Sequence, residues 1–291
     1  MHYSAFKILW EGLTGNKGWK PVWREPDPKP EYDIVIVGGG GHGLATAYYL
    51  AKEFGLTNIA VLEKGWLGSG NIGRNTTIVR SNYLLEGNQP FYEMSLKLWE
   101  GLEQDFNYNA MVSQRGILNL IHSDPQRDAF VRRGNAMRLS GADAVILDRD
   151  GIRERCPYLD YENARFPIQG AICQPRGGTV RHDAVAWGYA RGADSRGVEI
   201  IQNCEVTGFQ IENGGCSGVQ PSIGSMRARK VAVCVAGSSS RVMEKAGMRL
   251  PIECHVLQAF VSEGLKPVLP GVITFGAGHF YVSQSDKGGL V

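Results

Sequence analysis

The sequence lacks the features that define several common classes of protein. Its six cysteines are widely spaced and none forms a C-x-x-C pair, which argues against a structural zinc site or a redox dithiol, so we predict no metal site. The 31 Lys and Arg residues are spread along the chain and nearly balanced by 29 acidic residues, so charge gives no reason to expect nucleic-acid binding. No secretory signal and no apolar run of membrane-spanning length is present, and we expect a cytoplasmic protein without membrane contact.

Residues 32–63 have the pattern of a dinucleotide-binding unit. The β-branched run 34–37 predicts a buried strand, the Ala-rich run 44–52 predicts a helix, and the apolar run 59–62 predicts a second strand. A glycine-rich turn joins the first strand directly to the helix. This order of elements is the context in which a glycine motif indicates dinucleotide binding.

The glycine turn has the G-x-G-x-x-G spacing. Gly38 allows the tight turn, Gly40 allows the backbone to approach a pyrophosphate, and Gly43 allows close packing of helix on strand. Glu63 follows twenty residues later, where an acid accepts hydrogen bonds from ribose hydroxyls. We therefore place these residues on the dinucleotide: Gly38, Gly40, Gly41, His42, Gly43 and Glu63.

The position of this unit near the start of the chain favours FAD over NAD. It is followed by the loop 64–77, rich in Gly, Asn and Thr, which can run along a flavin with little side-chain bulk; a solvent-exposed loop is the alternative. A strand predicted over 226–235 ends in Ala236 and Gly237, which brings backbone back to the dinucleotide. The further cofactor contacts that we predict are Asn71, Arg74, Thr76, Thr77, Ile78, Val206 and Gly237.

The order of predicted helices and strands indicates an α/β protein with α+β elements. We predict a Rossmann-like FAD-binding domain, discontinuous over 31–110 and 170–248, and a mostly antiparallel substrate domain over 111–169 and 249–291. The second domain includes strands predicted over 257–263 and 278–284. The chain ends inside an apparent strand, and we expect the sequence to be truncated.

The arm formed by residues 1–30 contains three Trp and a Pro-rich exit. We expect it to contact another subunit because Trp is favoured at interfaces, with packing on its own domain as the alternative.

His182 precedes a second predicted helix, for which Asp183 is a natural N-cap. From the residues alone, a histidine at a helix start is more often a surface or capping residue than a functional one, and both interpretations stay open.

Taken together, these motifs resemble the β subunits of heterotetrameric bacterial sarcosine oxidases, within the wider family of D-amino-acid-oxidase-like flavoproteins. The runs that carry the resemblance are the arm and residues 37–50, 63–68, 73–83, 174–178, 181–188 and 281–288. The run 37–50 marks only the FAD superfamily, whereas the arm and the runs 174–178, 181–188 and 281–288 are more specific to these β subunits.

The resemblance implies oxidative demethylation of sarcosine to glycine on non-covalent FAD. Electrons then pass to an FMN whose 8α-methyl carbon is attached to the histidine matching His182, and oxygen takes them to give hydrogen peroxide. Arg80 matches the arginine that holds the substrate carboxylate in related amine oxidases. Partner α, γ and δ subunits are implied, with NAD on the α subunit and tetrahydrofolate capturing the one-carbon unit.

Members of this family continue past the position of Val291, into a flavin-contacting loop and a lysine near the substrate. A chain without that part has an open pocket, which weakens the expectation of catalysis. Three alternatives therefore stay open: another FAD-dependent amine oxidase of this fold, a non-catalytic truncated subunit, and an NAD-dependent dehydrogenase.

Overall fold

The computed structural model describes residues 4–17, 19, 21–83, 85, 87–276 and 278–291. The chain divides into two compact units. The first unit comprises Met1–Leu67 and Tyr189–Ile252, and the second comprises Gly68–Gly188 and Glu253–Val291.

The helices and strands of the described residues follow one another along both units. The helices are α1 Ala5–Leu13, α2 Gly41–Phe54, α3 Asn88–Phe106, α4 Asp124–Leu139, α5 Arg149–Arg155, α6 His182–Asp194 and α7 Ser239–Glu244. The strands are β1 Glu31–Val37, β2 Ile59–Leu62, β3 Ile78–Val79, β4 Ile117–Ile121, β5 Val145–Asp148, β6 Gly170–Gln174, β7 Gly178–Thr179, β8 Glu199–Ile201, β9 Val206–Glu212, β10 Gly215–Pro221, β11 Met226–Val233, β12 Val272–Phe275 and β13 Phe280–Val282. Among the described residues, no helix has the length and apolar character needed to cross a bilayer.

The first unit is built on a six-stranded sheet in the order β8-β2-β1-β11-β10-β9. Strands β8, β2, β1 and β11 are parallel, and β10 and β9 continue antiparallel. In this register Val37 lies beside Leu62 on one side and Val233 on the other, so the carboxyl ends of three strands meet at one edge. In open α/β sheets, ligands bind in the crevice beyond this edge.

The second unit contains a five-stranded sheet in the order β13-β12-β4-β6-β5, and a separate two-stranded pair, β3-β7. Strand β4 pairs antiparallel with β6, with Ile117 opposite Gln174, and parallel with β12. Helix α5 covers part of this sheet through the fully buried Ile152. This mixed sheet agrees with the fold class predicted from the sequence.

The two units divide the chain at different residues from the domains predicted by sequence. Residues 68–110 and 170–188, which the sequence grouped with the FAD-binding domain, belong to the second unit. The cause is strand pairing, because β6 is a central strand of the second sheet and β3 pairs with β7. The roles assigned to the predicted domains stay predictions.

The strand predicted over residues 257–263 is wrong. The segment belongs to no strand of the described residues, and Val256 and Leu257 are 97% and 92% exposed. Its end contacts residues 289–290: the Ser262 N–H donates to the Leu290 carbonyl and the Leu290 N–H donates to Ser262 Oγ, both at 2.9 Å, and Gly264 forms a single bridge with Gly289. An apolar alternating sequence favours a strand, but a strand also needs a partner.

The N-terminal arm has two parts that differ in their contacts. Helix α1 carries large apolar side chains in solvent, with Phe6 85% and Trp10 67% exposed. Further along, Arg24 pairs with Asp194 at 2.8 Å, and Lys29 with Glu199 at 2.6 Å, so residues 21–30 pack on their own unit. Residues 1–3, 18 and 20 of the arm lie outside the described residues, and a subunit contact through the arm stays a prediction.

A buried hydrogen bond joins the start of the first sheet to β8. The Tyr32 hydroxyl donates to Glu199 Oε2 at 2.6 Å and accepts from the Lys29 N–H at 2.8 Å. Burial and the neighbouring carboxylate both raise the pKa of Tyr32. The hydroxyl therefore stays neutral and serves as a permanent donor.

Replacing Tyr32 with Phe should lower the free energy of unfolding by about 1–3 kcal/mol, because Glu199 loses a buried donor. Urea unfolding followed by circular dichroism measures this loss. Tyr158→Phe is the matched control, since its side chain is 70% exposed, and it should change stability by less than about 0.5 kcal/mol. Equal effects of the two substitutions would contradict the structural role of the Tyr32 hydroxyl.

Candidate cofactor and substrate sites

The glycine turn between β1 and α2 is shaped by two contacts that exclude a side chain. A Cβ on Gly43 would lie 1.9 Å from the Gly38 carbonyl oxygen. Gly38 itself has φ +107°, and a Cβ there would lie 2.4 Å from the Cys234 carbonyl oxygen. Gly40 differs, because its φ is −78° and a Cβ there would meet nothing within 4 Å. The turn therefore presents open space at Gly40, as a bound diphosphate requires.

Helix α2 begins at this open space. Gly40 is its N-cap residue, and the first helical bond runs from the Leu44 N–H to the Gly40 carbonyl at 3.0 Å. Gly41 and His42 lie in the first turn, with His42 exposed. The first N–H groups of a helix have no acceptor within it and, with the helix dipole, form an anion site. The position and chemistry of this turn fit the diphosphate of a dinucleotide.

Glu63 lies just beyond the carboxyl end of β2, beside the glycine turn. Its Oε2 accepts from the Gly39 N–H at 2.9 Å and its Oε1 from the Gly65 N–H at 3.0 Å. Two backbone donors thus fix the carboxylate, and each oxygen keeps a lone pair for a further donor such as a ribose hydroxyl. The predicted ribose contact is compatible with this geometry.

Two more predicted contacts lie near this edge of the first sheet. Gly237 is in the short 3-10 turn Ala236–Ser238 that follows β11, and the Cys234 N–H donates to the Val37 carbonyl at 2.8 Å. Val206 is buried at the start of β9, two residues after Cys204, whose N–H donates to the Glu63 carbonyl at 2.8 Å. The structure therefore brings both chain segments to the end of the sheet where Glu63 and the glycine turn lie.

In the second unit, the loop after Gly68 has a constrained backbone. Asn71–Arg74 form a 3-10 turn, in which a Cβ on Gly73 would lie 1.9 Å from the Gly68 carbonyl oxygen. Thr77 has φ +68°, an unusual conformation for a β-branched residue, and its N–H donates to Asn75 Oδ1 at 2.6 Å. Such strained positions cluster at functional sites, which supports a role for this loop.

A cleft of about 200 Å³ lies next to this loop in the second unit. The Thr76 and Tyr281 hydroxyls are 2.8 Å apart at its margin. Three predicted site residues line it, whereas Asn71, Arg74, Thr77 and His182 do not. Its lining residues are Asn75, Thr76, Ile78, Arg80, Tyr83, Ile117, Thr274 and Tyr281.

The five lining residues that sequence reasoning did not identify as site residues are Asn75, Tyr83, Ile117, Thr274 and Tyr281. Ile117, Thr274 and Tyr281 lie on β4, β12 and β13, which strand pairing brings together, with Ile117 opposite Val272 and Thr274 opposite Tyr281. Local sequence patterns do not indicate which strands distant in sequence will pair. Only the resemblance runs, which include positions 75, 83 and 281, pointed toward three of these residues.

Arg80 supplies the positive charge of the cleft. Its Nη1 donates to Asn82 Oδ1 at 3.1 Å, and its guanidinium carbon lies 4.6 Å from the centre of the Tyr83 ring. One of five guanidinium donors is used by Asn82, which leaves donors for a carboxylate in the cleft. The volume and charge of the cleft suit a small amino acid.

Helix α6 begins at His182, one residue earlier than predicted. Asp183 therefore lies in the first turn and is not the N-cap residue. Its carboxylate pairs with Arg181 at 2.6 and 3.0 Å and accepts from the Ala184 N–H at 2.7 Å. Arg181 lowers the pKa of Asp183, chiefly through these hydrogen bonds. His182 is half-buried at the helix start.

The described residues contain no cluster of three or more His, Cys, Asp or Glu that could hold a metal ion.

Comparisons with known proteins agree with a flavin site. The family model described as FAD dependent oxidoreductase matches residues 33–291. The chain is 73% identical over 291 residues to the protein named sarcosine oxidase subunit beta of Rhizobium meliloti, covering all of this chain and 70% of that one. It is 48% identical over 289 residues to the protein of the same name in Rhodobacter capsulatus, covering 99% and 70%. The crystal structure of L-proline dehydrogenase from P. horikoshii superposes with a TM-score of 0.81 at 24% identity, over 90% of this chain and 69% of that one.

Two alanine substitutions in the glycine turn should separate folding from cofactor binding. Gly40→Ala should change the stability of the apoprotein by less than about 1 kcal/mol in either direction, because the Cβ meets only open space but Ala is a poorer N-cap than Gly, yet flavin content should fall. Gly43→Ala should lose both flavin and about 1–3 kcal/mol of stability through its clash with Gly38. Flavin absorbance per chain and apoprotein unfolding measure the two effects. Full flavin content in Gly40→Ala would contradict the placement of the diphosphate.

Proposed function

The chain belongs to the FAD-dependent oxidoreductase family and, within it, to the sarcosine oxidase β subunits, and from this premise we propose that it oxidatively demethylates sarcosine to glycine within a larger enzyme. The observation that carries the proposal is Arg80 in a cleft of about 200 Å³, held so that its charge is available to a small carboxylate. FAD, when bound, supplies the oxidation of the substrate, and FMN supplies the route of the electrons to oxygen, giving hydrogen peroxide.

The first unit holds FAD in this proposal. The N-terminus of α2 binds the diphosphate at Gly40, and Glu63 accepts from the ribose hydroxyls. Gly38 and Gly43 contribute by letting the backbone turn tightly enough to present those N–H groups. The remaining contacts that we propose in the first unit are Gly41, His42, Val206 and Gly237. The cofactor contacts that the sequence predicts in the second unit, which stay proposals, are Asn71, Arg74, Thr76, Thr77 and Ile78.

Arg80 orients the substrate. A guanidinium binds a carboxylate through two parallel hydrogen bonds, which fixes both position and direction. Sarcosine held by its carboxylate keeps its N-methyl group at a defined place, and such positioning accounts for a large share of catalytic rate. Thr76 and Tyr281, whose hydroxyls touch, border the same cleft.

His182 is the proposed attachment point of FMN. The bond joins an imidazole nitrogen to the 8α-methyl carbon of the flavin, as the resemblance implies. His182 is half-buried at the start of α6, and the helix fixes its backbone. The adjacent Asp183 is already paired with Arg181. His182 is therefore available for attachment without breaking that ion pair.

The relatives are named as β subunits, which indicates an enzyme of several chains. We propose α, γ and δ partners, with NAD on the α subunit and tetrahydrofolate receiving the one-carbon unit as methylenetetrahydrofolate. The exposed apolar residues of α1, such as Phe6 and Trp10, make the arm a candidate contact with one of these partners.

Arg80→Lys in the native assembly should raise the KM for sarcosine about 10- to 100-fold, because a point charge replaces a two-pronged donor. Peroxide formation against sarcosine concentration measures this change. Arg127→Lys is the matched control, since the Arg127 side chain forms an exposed pair with Asp124 on α4, and it should leave kinetics unchanged. A wild-type KM in Arg80→Lys would refute the carboxylate role.

His182→Ala should remove the covalently bound flavin, which stays with the protein on acid precipitation. It should leave the non-covalent FAD, which acid releases. The wild-type assembly precipitated with acid should stay yellow because one flavin is covalent, and the variant precipitate should be colourless. His42→Ala is the control, since that histidine is exposed in the proposed diphosphate turn and should not affect covalent flavin. A yellow precipitate from His182→Ala would place the attachment at another residue.

A further inference from the structure

We propose that Asn82 is a positioning residue for substrate binding, a neutral acceptor that orients the Arg80 guanidinium without cancelling its charge. This inference rests on the proposed function, in which Arg80 binds the substrate carboxylate. Asn82 does not line the cleft and acts through Arg80. Neither the family motifs nor the sequence pattern assigned it a role.

Asn82 joins two arginines through two different oxygens. Its side-chain Oδ1 accepts from Arg80 Nη1 at 3.1 Å, and its backbone carbonyl accepts from Arg133 Nη2 at 2.9 Å. The side chain is almost fully buried, with the residue 2% exposed. Burial and the nearby charge of Arg80 lower the pKa of Arg133. The side-chain amide satisfies the Arg80 donor and the backbone carbonyl satisfies the Arg133 donor, and neither group adds negative charge.

The plane of the Arg80 guanidinium is set by a second neutral group. Its carbon lies 4.6 Å from the centre of the Tyr83 ring, and Tyr83 stacks on Tyr92 with 3.8 Å between centroids and 23° between planes. A cation over an aromatic face is stabilised by the ring quadrupole and keeps its full charge. Asn82 therefore fixes one end of the guanidinium and Tyr83 fixes its face.

The backbone next to Asn82 is anchored by buried hydrogen bonds. The Ser81 N–H donates to Gln174 Oε1 at 3.2 Å, and the Ser81 hydroxyl donates to Glu93 Oε2 at 2.8 Å. Ser81 is fully buried and Gln174 nearly so. Because these bonds hold the preceding residue, the position of Asn82 Oδ1 is set by the interior of the second unit.

The test compares Asn82→Ala and Asn82→Asp in the native assembly. Asn82→Ala should raise the Kd for acetate, followed by the flavin spectrum, and the KM for sarcosine by about 3- to 10-fold, because Arg80 loses its orienting acceptor. Asn82→Asp keeps an acceptor but sets a carboxylate against Arg80, so it should weaken binding more than about 10-fold. In both variants kcat at saturating sarcosine should change less than KM.

Tyr32→Phe is the stability control, because it removes a buried hydrogen bond in the first unit without a role in binding. It should lower the melting temperature and leave the acetate Kd and the sarcosine KM unchanged. The inference would be overturned if the binding loss in each variant simply scaled with its loss of melting temperature, Tyr32→Phe included. A wild-type KM in Asn82→Asp would also overturn it. If Arg80→Lys itself leaves the acetate Kd and sarcosine KM unchanged, the proposed function fails; if only the Asn82 variants bind normally, the positioning role alone fails.

Discussion

The close approach of Gly43 to the Gly38 carbonyl is the constraint on which the first unit depends. Only because no side chain stands between them can α2 begin at the end of β1. That junction places the N-terminus of α2 at the edge where β2, β1 and β11 end in register. The anion-binding end of a helix and the crevice of a parallel sheet thus coincide because of one contact between two glycines.

The second unit reaches its candidate site by a different route. Its cleft depends on pairing between distant segments, since β12 must lie beside β4 before Thr274 and Ile117 can share a wall. Behind the cleft, Gln174 bonds to both Ser81 and Asp143, so the strand end that carries Arg80 is tied to the interior. Polar side chains inside this unit therefore determine where Arg80 lies.

Local patterns predicted the β1-α2-β2 unit because each element is encoded by its own residues. Strand β10 was not predicted: its sequence, which contains two Gly, a Ser and a Pro, is a poor strand former and pairs only because β9 and β11 flank it. Residues 257–263 show the reverse, with a favourable pattern but no neighbouring strand among the described residues. The positive φ of Thr77 also has no sequence signal, since a β-branched residue is rare there. What the sequence leaves undetermined is which distant segments meet.

A common principle distinguishes charges that build the structure from charges kept for a ligand. Arg176 is paired with Glu93 and Glu100, which raises its pKa and lowers that of Glu100. Arg80 and Glu63 are instead held by neutral groups, an amide and an aromatic ring for the cation and two backbone N–H groups for the anion.

Neutral partners fix the geometry of a charged group without compensating its charge, so Arg80 and Glu63 remain able to attract a counter-charge or a polar ligand. The same reasoning assigns Arg181 to structure, because it is shared between Asp183 and Asp286. Preorganised charge of this kind needs little rearrangement when a ligand arrives, which is the main physical advantage of a built site over a surface charge.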